Sequence, residues 1–228
     1  MNGRIAFLIS GILFASASSA AAQRITTPYR FFEHTQAAGL FAGHISTEKG
    51  TIGLGPESAP AYGARYHIRL GGPFFLEAEA LYLPTTRAVL DTVVVDSAFR
   101  RVGEADIGLL TGLASLRFNI TGQRTWHHLL PFFLLGVGLA TQVQDDEAAD
   151  EDVPSESRFD FGTTFAGQLG AGIEWLPAER LAVRIDARSV LWQIKAPEGL
   201  LLRGLGPPLP ADEWVNNLTL SVGVSFHF

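Results

Sequence analysis

The sequence predicts an all-β fold, an eight-stranded antiparallel up-and-down transmembrane β-barrel. Three observations carry that prediction: a period-two alternation of apolar and polar residues in segment after segment, connections that alternate between short and long, and a composition poor in charge. Of 228 residues, 47% are hydrophobic and 18% charged, where a soluble domain carries about 25% charged residues. Only two are Lys. The net charge of −6 disfavours nucleic acid as a partner, because phosphate binding needs a concentrated basic surface. With no Cys, a disulfide framework and a Cys-based metal site are both excluded.

Residues 1–22 read as a secretory signal peptide: Arg4 gives the charged start, residues 5–14 the apolar stretch, and Ala20-Ala21-Ala22 the small-residue cleavage pattern. Residues 23–36 then form a periplasmic N-terminal segment and 37–228 the barrel. No later apolar run reaches the roughly 18 to 20 residues of a transmembrane helix. The longest, 129–141, is interrupted by Pro131, Gly136 and Gly138.

The first strand, 37–45, has weakly marked faces, with Phe41 and Ile45 against Leu40 and His44. It is required because a barrel with both ends on one side needs an even number of strands. Residues 61–70 segregate fully, Tyr62, Ala64, Tyr66, Ile68 and Leu70 against Gly63, Arg65, His67 and Arg69. A Gly-Gly-Pro turn at 71–73 leads into 74–83, where Phe74, Leu76, Ala78, Ala80 and Tyr82 oppose Glu77 and Glu79. So tight a turn sets Arg65 across from Glu79 and His67 across from Glu77.

Residues 107–120 set Leu110, Ala114, Leu116 and Phe118 against Thr111, Ser115, Arg117 and Asn119; residues 129–144 set Phe133, Leu135, Val137 and Leu139 against Phe132, Leu134, Gly136 and Gly138. In 165–175 the apolar face runs Phe165, Leu169, Ala171, Ile173, Trp175, against Gln168, Gly170, Gly172 and Glu174. Residues 181–192 set Leu181, Val183, Ile185, Ala187 and Leu191 against Arg184, Asp186 and Arg188. The last strand, 214–228, sets Leu218, Leu220, Val222, Val224, Phe226 and Phe228 against Asn217, Thr219, Ser221, Gly223, Ser225 and His227.

The connections 71–73, 121–128 and 176–180 are shorter than 46–60, 84–106, 145–158 and 193–213, as for a barrel with short periplasmic turns and long external loops. In the second long loop, residues 88–95 (AVLDTVVV) are apolar enough to continue the hairpin wall above the membrane, or to offer an edge to a partner strand. Ten strands would follow if that loop made its own membrane hairpin, against which Asp91, Asp96, Arg100 and Arg101 speak. Residues 199–210, rich in Leu, Gly and Pro, read as irregular chain folded over the rim.

Alternating strands behind a signal peptide fit a secreted barrel with its apolar face inside, or a membrane barrel with that face on lipid. The polar faces decide. Arg65, Arg69, Arg117, Arg184 and Arg188 nearly balance Glu77, Glu79, Glu174 and Asp186. A narrow, water-poor lumen demands such balance, since an unpaired buried charge costs several kcal/mol. Arg in place of Lys suits forks that bridge several carboxylates. Aromatics lie near strand ends, all four Trp among them, where membrane girdles form.

Three stretches then carry a resemblance: PFFLLGVGLA at 131–140, GQLGAGIEW at 167–175 followed by LAVRIDAR, and the terminal LTLSVGVSFHF. The sequence resembles the outer-membrane β-barrel domain superfamily, the small OmpA-like barrels of Gram-negative bacteria. The resemblance implies a location in the outer membrane and contact with its lipid and lipopolysaccharide. It also implies that Val222, Val224, Phe226 and Phe228 are the terminal signal read by the barrel-assembly machinery. It specifies architecture and hardly any activity.

The ten residues Arg65, His67, Arg69, Glu77, Glu79, Arg117, Glu174, Arg184, Asp186 and Arg188 are the candidate site, expected to be a lumen charge network that plugs the barrel. No catalytic residue, metal site or cofactor is expected. The acidic run Asp145, Asp146, Glu147, Asp150, Glu151, Asp152 and Glu156 has carboxylate oxygens suited to Ca²⁺ but no EF-hand spacing, and reads as a solvated loop. Ser225 and His227 lack a carboxylate nearby in sequence, and His127-His128 lacks further ligands. The expected function is therefore a monomeric structural or surface-interaction barrel; a narrow channel for small or apolar solutes and, after it, a lipid-modifying enzyme are the alternatives.

Overall fold

Strands with one apolar and one polar face cannot remain as isolated hairpins, and here they close. The computed structural model describes residues 27–31, 33–95, 98–145, 153–201 and 210–228, with backbone only for 91–95, 98–100 and 145. The strands in chain order are β1 (Tyr29–Phe31), β2 (Gln36–Ser46), β3 (Ala59–Gly71), β4 (Phe74–Val95), β5 (Ala98–Asn119), β6 (Arg124–Trp126), β7 (Leu129–Asp145), β8 (Thr163–Trp175), β9 (Leu181–Lys195) and β10 (Asp212–His227). Eight of them, all but β1 and β6, form a closed antiparallel barrel, joined by β2 on β10 and β7 on β8. The signal-peptide reading and most of the acidic run lie outside the described residues.

The register between β3 and β4 pairs Arg65 with Glu79 and His67 with Glu77, as the Gly-Gly-Pro turn requires. The weakly marked first strand resolves with Ala37, Phe41 and Ile45 inward and Leu40 outward. Residues 88–95 do extend the hairpin: beyond Thr85 and Asp106, β4 and β5 pair only with each other, through register shifts at Leu90. Such irregularities twist an edge away from open-ended pairing.

Two features lie outside the alternation pattern. Within the 121–128 connection, β6 forms a short ribbon with β1 from the N-terminal segment, Tyr29 opposite Trp126 and Phe31 opposite Arg124. In the last long loop, Glu198–Leu201 form a helical turn that buries Leu200.

The barrel has a terminal end, where the Phe228 amide bonds the Gln36 carbonyl and the short turns lie, and a loop end opposite. Its outer face is apolar throughout the middle, with Leu40, Leu135 and Ile185 the most exposed at 72%, 64% and 65%. Along β8, Phe165 and Trp175 bracket that band, ten residues apart. At about 3.4 Å per residue and a tilt near 40°, this is roughly 26 Å, close to the ~25 Å apolar band of a membrane barrel. Trp126, Trp175 and Trp214 face outward; Trp192 does not, and packs inside against Phe161.

The charge network occupies the terminal half of the interior. Toward the loop end the inward positions become Leu81, Leu83, Leu109, Leu113, Trp192 and Val215, and loop residues Leu54, Phe159, Phe161 and Leu200 pack onto them. The expectation of a charged lumen thus holds for half the barrel. In the other half the loops bury apolar side chains, at about 25 cal/mol per Å² of area removed from water.

Candidate functional site

Inward positions two residues apart on β3, β4, β5, β8 and β9 bring four arginines and four carboxylates into one chain of alternating sign. Starting at the terminal end, Arg117 donates to Glu174 and lies 3.9 Å from Glu77. Both Nη atoms of Arg184 donate to the Glu77 carboxylate, and its Nε donates to Asp186 at 2.9 Å. Asp186 also accepts from Arg65 Nη1 at 2.9 Å and lies 2.7 Å from Arg188 Nε. Arg188 donates to Glu79, and Arg65 Nε lies 3.8 Å from that same carboxylate. Every carboxylate of the chain faces at least one guanidinium, which offsets the desolvation cost of eight charges that are each at most 5% exposed.

Of the ten sequence-predicted residues, nine are brought together. His67 Nδ1 lies 4.0 Å from Glu77. Arg69 lies at the terminal rim, half-buried and opposite Phe75. The ion-pair chain described above has four positive and four negative members. His227 has no carboxylate near it in sequence; in space its Nε2 is 3.1 Å from Glu174. Val222, Val224, Phe226 and Phe228 face outward along and just beyond β10.

Sequence reasoning missed what the guanidiniums rest on. Arg117 and Arg184 lie over the Phe132 ring at 4.1 and 4.3 Å, and Arg65 over Phe41 at 4.0 Å. Such contacts contribute about 0.5–2 kcal/mol each. Both rings fit because a glycine sits beneath them: a Cβ on Gly172 would lie 2.6 Å from Phe132 Cζ, and one on Gly63 2.3 Å from Phe41 Cζ. The signal was present as Phe132 and Gly172 on the inward faces of their strands, but alternation assigns a face and not a stacking partner. Gly172→Val is expected to push Phe132 from under both arginines and to destabilise the barrel by about 1–3 kcal/mol, read as a lower urea midpoint in micelles.

Neutral polar side chains are buried beside the charges. Gln168 donates to Ser115 at 2.6 Å, and Ser221 donates to Asp186 at 3.0 Å. Arg87, absent from the sequence-predicted set, is buried in the apolar half, 5.9 Å from the Phe159 ring. Among the described residues no three His, Asp or Glu side chains are grouped to hold a metal ion.

The family described as outer membrane protein beta-barrel domain matches residues 7–228. No curated protein sequence matches the chain. Among solved structures, the fold is similar to neisserial surface protein A, at 12% identity over 85% of this chain and 97% of that one, with a TM-score of 0.53. It is also similar to the outer membrane protein OprG of Pseudomonas aeruginosa, at 15% identity over 89% and 99%, with a TM-score of 0.51. At these identities the likeness is one of fold.

Proposed function

The chain belongs to the outer membrane protein beta-barrel domain family, and on that premise we propose that it is a closed, monomeric, non-conducting barrel whose work is done by its loops at the cell surface. The termini and short turns face the periplasm; the long connections and the raised β4–β5 hairpin face outward, toward lipopolysaccharide, ligands or other cells. The terminal residues Val222 to Phe228 engage the barrel-assembly machinery during insertion. The chain is assigned no catalytic step.

The observation that supports this reading is the occupied interior. Ion pairs fill the terminal half, and Leu54, Phe159, Phe161 and Leu200 fill the loop end. An eight-stranded barrel is only just wide enough for its own side chains, so two such layers leave no aqueous path. Purified protein in a planar phospholipid bilayer is expected to give no stable current steps in the nanosiemens range. Steps of that size would replace this reading with the channel alternative.

A further inference from the structure

The chain crosses the terminal mouth of the barrel on its way from β1 to β2. β1 is fixed through β6 to β7, and β7 lies four places from β2 in either direction round the eight-stranded ring. The link from Phe31 to Gln36 therefore leaves one side of the ring for the other. On the way the Thr35 carbonyl accepts from the Arg69 amide at 2.7 Å, and the His34 ring lies 6.2 Å from the ring of His227, which is buried inside the barrel.

This strap, the β6–β7 hairpin and the β8–β9 turn together line a cavity of about 440 Å³, within the size range of small-molecule sites. The three segments are tied to one another around it. The hairpin turns at His127 and His128, both at positive φ, 50° and 65°. The His127 amide bonds the Pro28 carbonyl at 3.1 Å, and the Leu176 amide bonds the His128 carbonyl at 2.9 Å. Non-glycine residues hold that conformation at a cost of about 1–2 kcal/mol each, and strain of this kind gathers at ligand clamps.

The lining divides by chemistry. Phe31, Leu176 and Pro177 give it an apolar wall. Arg30, Glu33 and Glu179 bring one positive and two negative charges to the same cavity, and none of the three forms an ion pair among the described residues. Unmatched charges of both signs around one space fit a ligand that carries both. An ammonium group answers the two carboxylates, and one carboxylate answers the single guanidinium fork. The apolar wall takes a side chain.

We propose that this cavity binds a zwitterionic amino acid or short peptide, its ammonium group at Glu33 and Glu179, its carboxylate at Arg30 and its side chain against Phe31 and Leu176. The site lies at the end of the barrel opposite the long loops. Supply of the ligand from the periplasm rests on the orientation proposed above; binding itself does not. Calorimetric titration of the full chain in uncharged micelles, with phenylalanine, with alanylphenylalanine and with the N-acetylated and C-amidated forms of that dipeptide, tests it. One saturable site per chain is expected for the zwitterions, and blocking either terminus of the dipeptide is expected to weaken binding by on the order of tenfold. Glu33→Gln with Glu179→Gln is expected to weaken the free dipeptide by a similar factor and leave the N-acetylated form unchanged. Arg30→Gln is expected to do the same to the free dipeptide and leave the C-amidated form unchanged. All three side chains are exposed and lie outside the eight barrel strands, so the heat-dependent gel mobility of the folded barrel is expected to persist in both variants. No saturable binding of either zwitterion, equal affinity for the blocked dipeptides, losses that do not pair each variant with its own terminus, or tighter binding of glycerophosphoethanolamine overturns the proposal. Orientation is read separately: maleimide labelling in intact cells is expected for Gly53→Cys and not for Gly72→Cys. The reverse would refute the periplasmic orientation without touching the binding measurement.

Discussion

Replacing Arg184 by methionine is expected to lower the unfolding free energy of the barrel by about 3–5 kcal/mol, the cost of leaving a buried charge uncompensated. Arg184 holds Glu77 through both Nη atoms and Asp186 through Nε. Asp186 keeps Arg65 and Arg188 when Arg184 is lost. Glu77 keeps only Arg117, at 3.9 Å, and His67, at 4.0 Å, and is fully buried. Most of the loss therefore arises at one carboxylate. Adding Glu77→Gln to Arg184→Met is expected to restore most of the stability, because a matched pair of neutral side chains carries no unpaired charge. A double-mutant cycle from urea titrations in micelles should give a coupling of at least about 2 kcal/mol. Additive losses would mean that the alternating chain is not a coupled unit.

Placing a charge on the opposite face tests the other half of the architecture. Leu135 is outward, between Leu116 on β5 and Leu169 on β8, near the middle of the apolar band. Leu135→Arg is expected to cost about 2–4 kcal/mol in phospholipid vesicles, the value for a cation at the midplane of a membrane barrel. Val143→Arg, outward near the loop end of β7, is expected to cost about 0–1 kcal/mol. The difference between the two positions is the informative quantity. A water-exposed wall would tolerate both alike.

The alternation made the barrel strands, their faces and the β3–β4 register readable without coordinates, since inward and outward positions differ chemically wherever Arg, Glu or Asp alternate with Leu, Val or Phe. It failed where both faces are apolar. On β4 the inward Glu77 and Glu79 give way to Leu81 and Leu83, and on β9 Arg184, Asp186 and Arg188 give way to Val190 and Trp192. Two apolar faces show no period, so the loop-filled half of the interior leaves no mark in the sequence, and Trp192, at a strand end, looks like a girdle residue. The candidate charges were legible because each sits on a polar face; their connectivity was not, because Arg117 reaches Glu174 on a strand two places away and Arg184 reaches Glu77 across the barrel. The β1–β6 ribbon had no signal of its own, being two strands of three residues each, too short to show alternation.

Because the chain has no Cys, single cysteines can carry a spin label without background. The most direct test labels positions 133, 135, 137 and 139 of β7 in turn, in phospholipid vesicles, and compares collision rates with molecular oxygen and with a water-soluble nickel chelate. With the charges inside and the apolar face on lipid, oxygen collisions should dominate at all four sites and peak at 135 and 137. Nickel-chelate collisions at those sites equal to those at a labelled Gly53 would place the apolar face in water and contradict the inside-out arrangement.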